Sequence, residues 1–194
     1  MQNKEKIRKM TVTAVLAALI VVLSFTPLGY LKIGVVSITF IMIPVVIGAV
    51  MEGPATGALL GLVFGATSFI QCFGMDAFGT TLLGINPVYT FLMCMVPRIL
   101  MGTLAGWIFR WLRHVDRKGI VASAVASLSG AVLNTVLFVG FLLLFFGGSQ
   151  YIQEFGVNVW SILTTLFIIN ACVEAGVCLI VGTTICTALL LARK

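Results

Sequence analysis

The chain has 194 residues, 60% of them hydrophobic and 9% charged, and its twelve Lys and Arg outweigh six Asp and Glu to give a net charge of +6. A soluble domain carries roughly a quarter charged residues, so a water-compatible surface around one core is excluded and the sequence reads as an integral membrane protein. At about 20 apolar residues per span, six spans leave room for short connections and for no large extramembrane domain.

In chain order, apolar runs predict transmembrane helices at about Met10–Phe25, Val35–Met51, Ala55–Phe73, Val88–Leu112, Ile120–Phe146 and Val159–Leu191. The expected fold is an all-α membrane domain over residues 1–194 with six spans. The basic start MQNKEKIRKM enters the first run without a small-residue cleavage site, so this helix reads as retained rather than as a removed signal. Ala14 and Ala18, extended by Ala17, make a small patch on it, suited either to packing within the chain or to docking another subunit.

Between the second and third runs, Glu52-Gly53-Pro54 is a tight turn, because Gly relaxes the backbone and Pro starts a helix well. Gly53, Gly57, Gly61 and Gly65 then recur every four residues, a flat stripe down the third helix where another backbone can approach closely. Helix packing inside the chain is the simpler use of that stripe.

Lys4, Lys6, Arg8 and Lys9 precede the first span, Arg110, Arg113, Arg117 and Lys118 follow the fourth, and Arg193 and Lys194 end the chain. These ten fall on one side of a six-span arrangement and only Lys32 lies in an opposite loop, so both termini are expected in the cytoplasm. The excess of positive charge is therefore topological, and no nucleic-acid partner is expected. The outer connections, about Thr26–Gly34, Gly74–Pro87 and Gly147–Asn158, are longer and more varied than the Glu52-Gly53-Pro54 turn, which places ligand recognition on that face.

Arg98 lies twelve residues before Arg110, about 18 Å deeper along a helix. An ionised Arg near the bilayer centre costs about 2.5–3.5 kcal/mol on insertion scales, so a partner is required. The preceding Pro97 loosens the helix and frees carbonyls locally. Glu174 in the sixth span, Asn170 one turn before it and Asn134 in the fifth span reach comparable outer depth. Together with Arg98 they make a pocket for a small polar molecule, whose carboxylate or phosphate the guanidinium fork would hold. The alternative is a neutralised Arg98–Glu174 pair with the asparagines as interhelical hydrogen-bonding groups. Gln71, Asn86, Tyr89, Tyr151 and Trp160 are weaker pocket candidates, and the aromatic ones suit interfacial anchoring equally well.

Catalytic patterns are missing. No G-x-x-x-x-G-K-[ST] loop occurs, so ATP hydrolysis is not expected of this chain. His114 is the single histidine and sits in the basic loop, which leaves no residue set for a Ser/His hydrolase or a His-ligated metal. Cys72, Cys94, Cys172, Cys178 and Cys186 show no metal-ligand spacing and read as small core residues. Neither cofactor nor metal is expected. A ligand-binding membrane subunit energised elsewhere fits best, with a small oligomeric channel or scaffold as the alternative from a different class.

The stretch Ile33-Gly34-Val35-Val36-Ser37-Ile38-Thr39, continuing through Ile43-Pro44-Val45-Val46-Ile47-Gly48 to Glu52-Gly53-Pro54-Ala55-Thr56-Gly57-Ala58-Leu59-Leu60-Gly61, resembles the substrate-binding (S) components of energy-coupling factor vitamin transporters. The basic N-terminus, the alanine-patterned first helix, Pro97-Arg98 in the fourth and Asn in the fifth and sixth carry the likeness along nearly the whole chain. It implies a six-helix plasma-membrane protein that captures a vitamin from outside and joins a transmembrane coupling protein and two cytoplasmic ATPases. It further implies that Ala14, Ala17 and Ala18 dock on the coupling protein, that the ligand lies between outer loops and the outward halves of helices four to six, and that the loaded protein topples in the membrane during transport. The Ile43–Ala49 run and Pro97-Arg98 are most similar to pantothenate-specific members. Riboflavin, folate, pyridoxine or a queuosine precursor are the alternative ligands.

Overall fold

A computed structural model describes residues 2–26, 29–33, 36–116, 119–149 and 171–192 of the chain. Helix α1 spans Gln2–Ser24 and so begins a full two turns before the apolar run, its basic residues forming the first turns. It lies at the periphery with Ile20 and Ser24 buried beneath it, and Ser24 Oγ stands 2.9 Å from Thr67 Oγ1 on the next long helix.

Strands β1 (Tyr30–Ile33) and β2 (Val36–Thr39) follow as an antiparallel hairpin with Tyr30 opposite Thr39 and Ile33 opposite Val36. The backbone N–H of Phe40 donates to the Gly29 carbonyl at 3.1 Å and closes its base. Gly29 is required there, since a Cβ would fall 2.0 Å from the Leu23 carbonyl oxygen. The helix expected over Val35–Met51 is therefore corrected. Val36–Thr39 is strand, and helix α2 covers only Met42–Glu52, 11 residues or about 16 Å. The β-branched residues Val36, Ile38 and Thr39 favour extended backbone, and Ser37 and Thr39 alternate with Val36 and Ile38 in the two-residue period of a strand, over only four residues beside the longer apolar run that follows.

Helix α2 is buried on every side from Pro44 to Val50 and supplies the centre of the main core, with Ile20, Leu60, Phe64 and Met101 around it. It ends at Gly53, whose φ of 99° a residue with a side chain rarely adopts, and Pro54 opens α3 (Pro54–Gln71). A short helix α4 (Ala77–Ile85) occupies part of the expected outer loop, capped by Asp76 Oδ2 accepting from Gly79 N at 2.8 Å. Helix α5 (Pro87–Leu112) contains Pro97, and α6 spans Ile120–Phe146. Helix α7 (Ala171–Ala192) includes a π-helical turn at Cys178–Gly182.

Five of these helices, α1, α3, α5, α6 and α7, are long and apolar enough to cross a membrane, and α2 is a shorter apolar helix. On α6 the faces are inverted relative to a soluble bundle. Ser123, Ser127, Gly130 and Asn134 point inward, whereas Val121, Val125, Val132 and Val136 are exposed. Large apolar side chains outside and small or polar ones inside is the arrangement that lipid demands.

The glycine stripe meets α5. A Cβ on Gly57, Gly61 or Gly65 would fall 2.2 Å from the Gly102 carbonyl oxygen, 2.3 Å from that of Arg98 and 2.9 Å from that of Cys94, respectively. The two helices thus run antiparallel in backbone contact over two turns. Gly53, at the head of the stripe, faces the Arg110 side chain instead. One end of the bundle gathers Arg8 of α1, Glu52 of α2 and Ala192 of α7, which together line a groove.

A candidate ligand cavity

At the opposite end, a cavity of about 750 Å³ lies among the last turns of α1 and α3, the C-terminal end of β2, helix α4, the N-terminal half of α5 and Phe138 of α6. Its polar lining comes from Ser24, Thr26, Thr39, Ser68, Gln71, Asp76 and Arg98, and its apolar lining includes Phe64, Phe78, Met93 and Phe138. Cys72 and Cys94 complete one wall.

Arg98 is only 8% exposed. Pro97 has no N–H, so the Met93 carbonyl loses the donor that a regular helix would give it. Arg98 Nη1 takes that place and donates to Met93 O at 2.9 Å. Backbone chemistry thereby turns the guanidinium back along α5 toward the cavity. Its central carbon lies 4.8 Å from the Phe138 ring centroid and 5.5 Å from that of Phe64, and such ring faces partly offset the desolvated charge. Nε is buried without a hydrogen-bond partner among the described residues. No carboxylate among them pairs with this arginine.

Gln71 is buried on the opposite wall, and its Nε2 donates to the Ser24 carbonyl. Asp76 spends Oδ2 on the α4 cap, whereas Oδ1 accepts no hydrogen bond among the described residues. Glu174 does not line the cavity. Its Oε1 accepts from the backbone N–H of Thr39 at 2.7 Å, which ties the C-terminal end of β2, at the base of the hairpin, to α7. Since Thr39 does line the cavity, Glu174 acts on the wall at one remove.

Of the residues expected to converge, the structure therefore brings Arg98 and Gln71 to one cavity. Asn134 is buried on α6 with Oδ1 unpartnered among the described residues, outside the lining. Asn86 caps α5, its Oδ1 accepting from Val88 N at 3.0 Å and Tyr89 N at 3.2 Å. Tyr89 stacks on Phe145 with centroids 5.0 Å apart. Neither lines the cavity. Asn170, Tyr151 and Trp160 lie outside the described residues. Asp76, Thr39 and the Phe64–Phe138 pair were not foreseen, although Asp76 carried a signal as an acidic residue in an outer connection followed three residues later by Gly79. On α1, Ala14 and Ala18 are exposed while Ala17 packs against the core.

Residues 8–186 match the family described as "ECF transporter, substrate-specific component". The chain belongs to this family. It is also 29% identical over 168 residues to the "Pantothenic acid transporter PanT" of Lactococcus lactis subsp. cremoris (strain MG1363), an alignment covering 80% of this chain and 79% of that protein. As an S component it is a transport subunit and not an enzyme, a multi-pass protein of the plasma membrane. Membership implies, in general terms, a vitamin as ligand and an energy-coupling module as partner.

Proposed function

We propose that this S component captures pantothenate from outside the cell through the Arg98 cavity. The observation that carries the reading is a buried guanidinium, without an acidic partner among the described residues, on the wall of a cavity of about 750 Å³. That volume lies within the roughly 300–1,000 Å³ of small-molecule sites. Pantothenate offers a carboxylate for the guanidinium fork. Its two hydroxyls suit Asp76 Oδ1 and the Gln71 carbonyl, and its gem-dimethyl group suits Phe64, Phe78 and Phe138. The printed name of the Lactococcus relative supports the same ligand.

In this reading α2, preceded by the β1–β2 hairpin, completes a sixth crossing, and both termini are cytoplasmic. The charge bias supports that orientation, because Arg8, Arg110 and Arg113 lie toward the end opposite the cavity. The exposed Ala14 and Ala18 face of α1 docks the transmembrane coupling protein, with Ala17 beneath it. Two cytoplasmic ATPases supply the hydrolysis for which this chain has no phosphate loop.

Calorimetric titration of the detergent-solubilised protein tests the reading. Pantothenate is expected to bind, and Arg98→Ala to weaken it by about 2–5 kcal/mol, the cost of removing one partner of a desolvated charge pair. Arg98→Lys keeps the charge without the bidentate fork and falls between. Undiminished affinity in Arg98→Ala would refute the site, and binding of riboflavin, folate or pyridoxine in place of pantothenate would refute the ligand.

A further inference from the structure

The cavity wall holds a second chemical feature that the capture of an anion does not use. Cys72, just past the end of α3, and Cys94, one turn before Arg98 on α5, are both buried, and their sulfurs stand 3.9 Å apart. Both line the cavity, whereas Cys178 and Cys186 are buried in the main core and Cys172 is exposed elsewhere on α7.

Backbones rather than side chains hold the two thiols together. Beside them Gly65 presses α3 onto α5 so closely that a Cβ would lie 2.9 Å from the Cys94 carbonyl oxygen. A disulfide has its sulfurs about 2.05 Å apart and its Cβ atoms about 3.5–4.5 Å apart. Closing the present gap therefore takes less than about 2 Å of sulfur travel.

That travel has a structural consequence. Gly79 of α4 rests on Cys72, an added Cβ lying 2.6 Å from its sulfur, and the same glycine donates its N–H to Asp76 Oδ2. A shift of the Cys72 sulfur toward α5 removes the support under Gly79 and moves the Asp76 cap, the acidic side of the cavity.

We infer that Cys72 and Cys94 form an oxidisable dithiol in the cavity wall, which a small peroxide converts to an α3–α5 disulfide that weakens ligand capture. One thiol gives up its proton and its sulfur attacks the peroxide, breaking the O–O bond to give a sulfenic acid and hydroxide, which takes up that proton as the first water. The second thiol then attacks the sulfenic sulfur, forming the S–S bond and releasing the second water. Two thiols are oxidised and one peroxide is reduced. The effect on capture rests on the cavity being the vitamin site, but formation of the disulfide does not.

The test uses the full chain in detergent with hydrogen peroxide and no vitamin, followed by alkylation of remaining thiols and peptide mapping. A Cys72–Cys94 cross-link is expected, with Cys172, Cys178 and Cys186 still alkylated and no cross-link in Cys94→Ser. Five alkylated thiols, or a disulfide involving another cysteine, overturns the dithiol. Pantothenate titration of oxidised and dithiothreitol-reduced protein follows. About tenfold weaker binding when oxidised, recovered on reduction, supports the coupling, and equal affinity overturns it. Failure of even the reduced protein to bind pantothenate would overturn the ligand reading, while the mapped cross-link still decides the thiol chemistry.

Discussion

Gly61→Ala examines the α3–α5 contact on which the cavity is built. The new Cβ would lie 2.3 Å from the Arg98 carbonyl oxygen, 2.8 Å from its carbon and 3.0 Å from Ile99 Cα. All three are backbone atoms, so no side-chain rotation relieves the clash and α5 must retreat by about 1 Å. Inserting a methyl into a closed interface costs about 1–3 kcal/mol, while replacing Gly by Ala inside a helix returns about 0.5–1 kcal/mol. The expected net loss is about 0–2.5 kcal/mol, from the difference between those ranges. Gly140 on α6 supplies the control, because nothing lies within 4 Å of an added Cβ there and only the favourable contribution remains. For a chain of this length 1 kcal/mol corresponds to about 2–4 °C in melting temperature. In thermal melts read by exposure of the buried Cys178 and Cys186 to a thiol-reactive dye, Gly61→Ala is expected below wild type and Gly140→Ala at or above it. Pantothenate affinity should fall only in Gly61→Ala, because the displaced carbonyl belongs to Arg98. A Gly61→Ala protein as stable as Gly140→Ala, with full affinity, would refute the contact.

Other substitutions separate structural from ligand-holding roles. Pro97→Ala restores an N–H for the Met93 carbonyl, so Arg98 loses a charge-assisted hydrogen bond worth about 1.5–3 kcal/mol; a higher melting temperature with weaker pantothenate binding is expected, and unchanged affinity on calorimetry would count against the anchoring. Asp76→Asn keeps a capping oxygen for Gly79 N and should lower affinity with little loss of stability, whereas Asp76→Ala also loses the cap, about 0.5–2 kcal/mol; equal affinity in wild type and Asp76→Asn would remove Asp76 from the site. Glu174→Ala deprives Thr39 N of its acceptor, at about 1–3 kcal/mol for the stranded donor, and faster proteolysis within residues 30–39 is the measurable sign. Unchanged cleavage kinetics would contradict the tether.

Helices whose boundaries are marked chemically were legible from sequence. Ile120–Phe146 is helical over the residues expected, and α5 begins at Pro87, one residue before the expected Val88. Gly119, Gly53 and the Asn86-Pro87 pair leave little freedom about where those helices start. The hairpin and α4 were hidden for different reasons. Val36–Thr39 alternates apolar Val36 and Ile38 with polar Ser37 and Thr39 for only four residues, a short signal beside the apolar run that follows, and Ala77–Ile85 contains Gly79 and Gly84, which read as loop although the first is a contact surface for Cys72. Within the site, Arg98 stood out through its depth. Glu174 was legible as a buried acid needing a partner, but one partner it takes is a backbone N–H 135 residues earlier on a strand, which no helical-face argument reaches.

Scarce charge makes the environment of each buried polar group specific. Cys94, Arg98 and Gly102 are spaced by four residues on α5, and their carbonyls meet Gly65, Gly61 and Gly57 of α3. The side chains of the first two open onto the cavity. One periodicity therefore does two tasks: the carbonyl face excludes lipid through backbone contact, and the adjacent face presents a cation and a thiol. Pro97 joins them, since the donor it withholds from Met93 is supplied by Arg98. Among the described residues the guanidinium is held by a backbone carbonyl and pairs with no carboxylate, so these residues fix it without neutralising it. A salt bridge to Glu174 would have consumed the charge, whereas this arrangement leaves Nε without a hydrogen-bond partner among the described residues, the donor that the proposed anion would take.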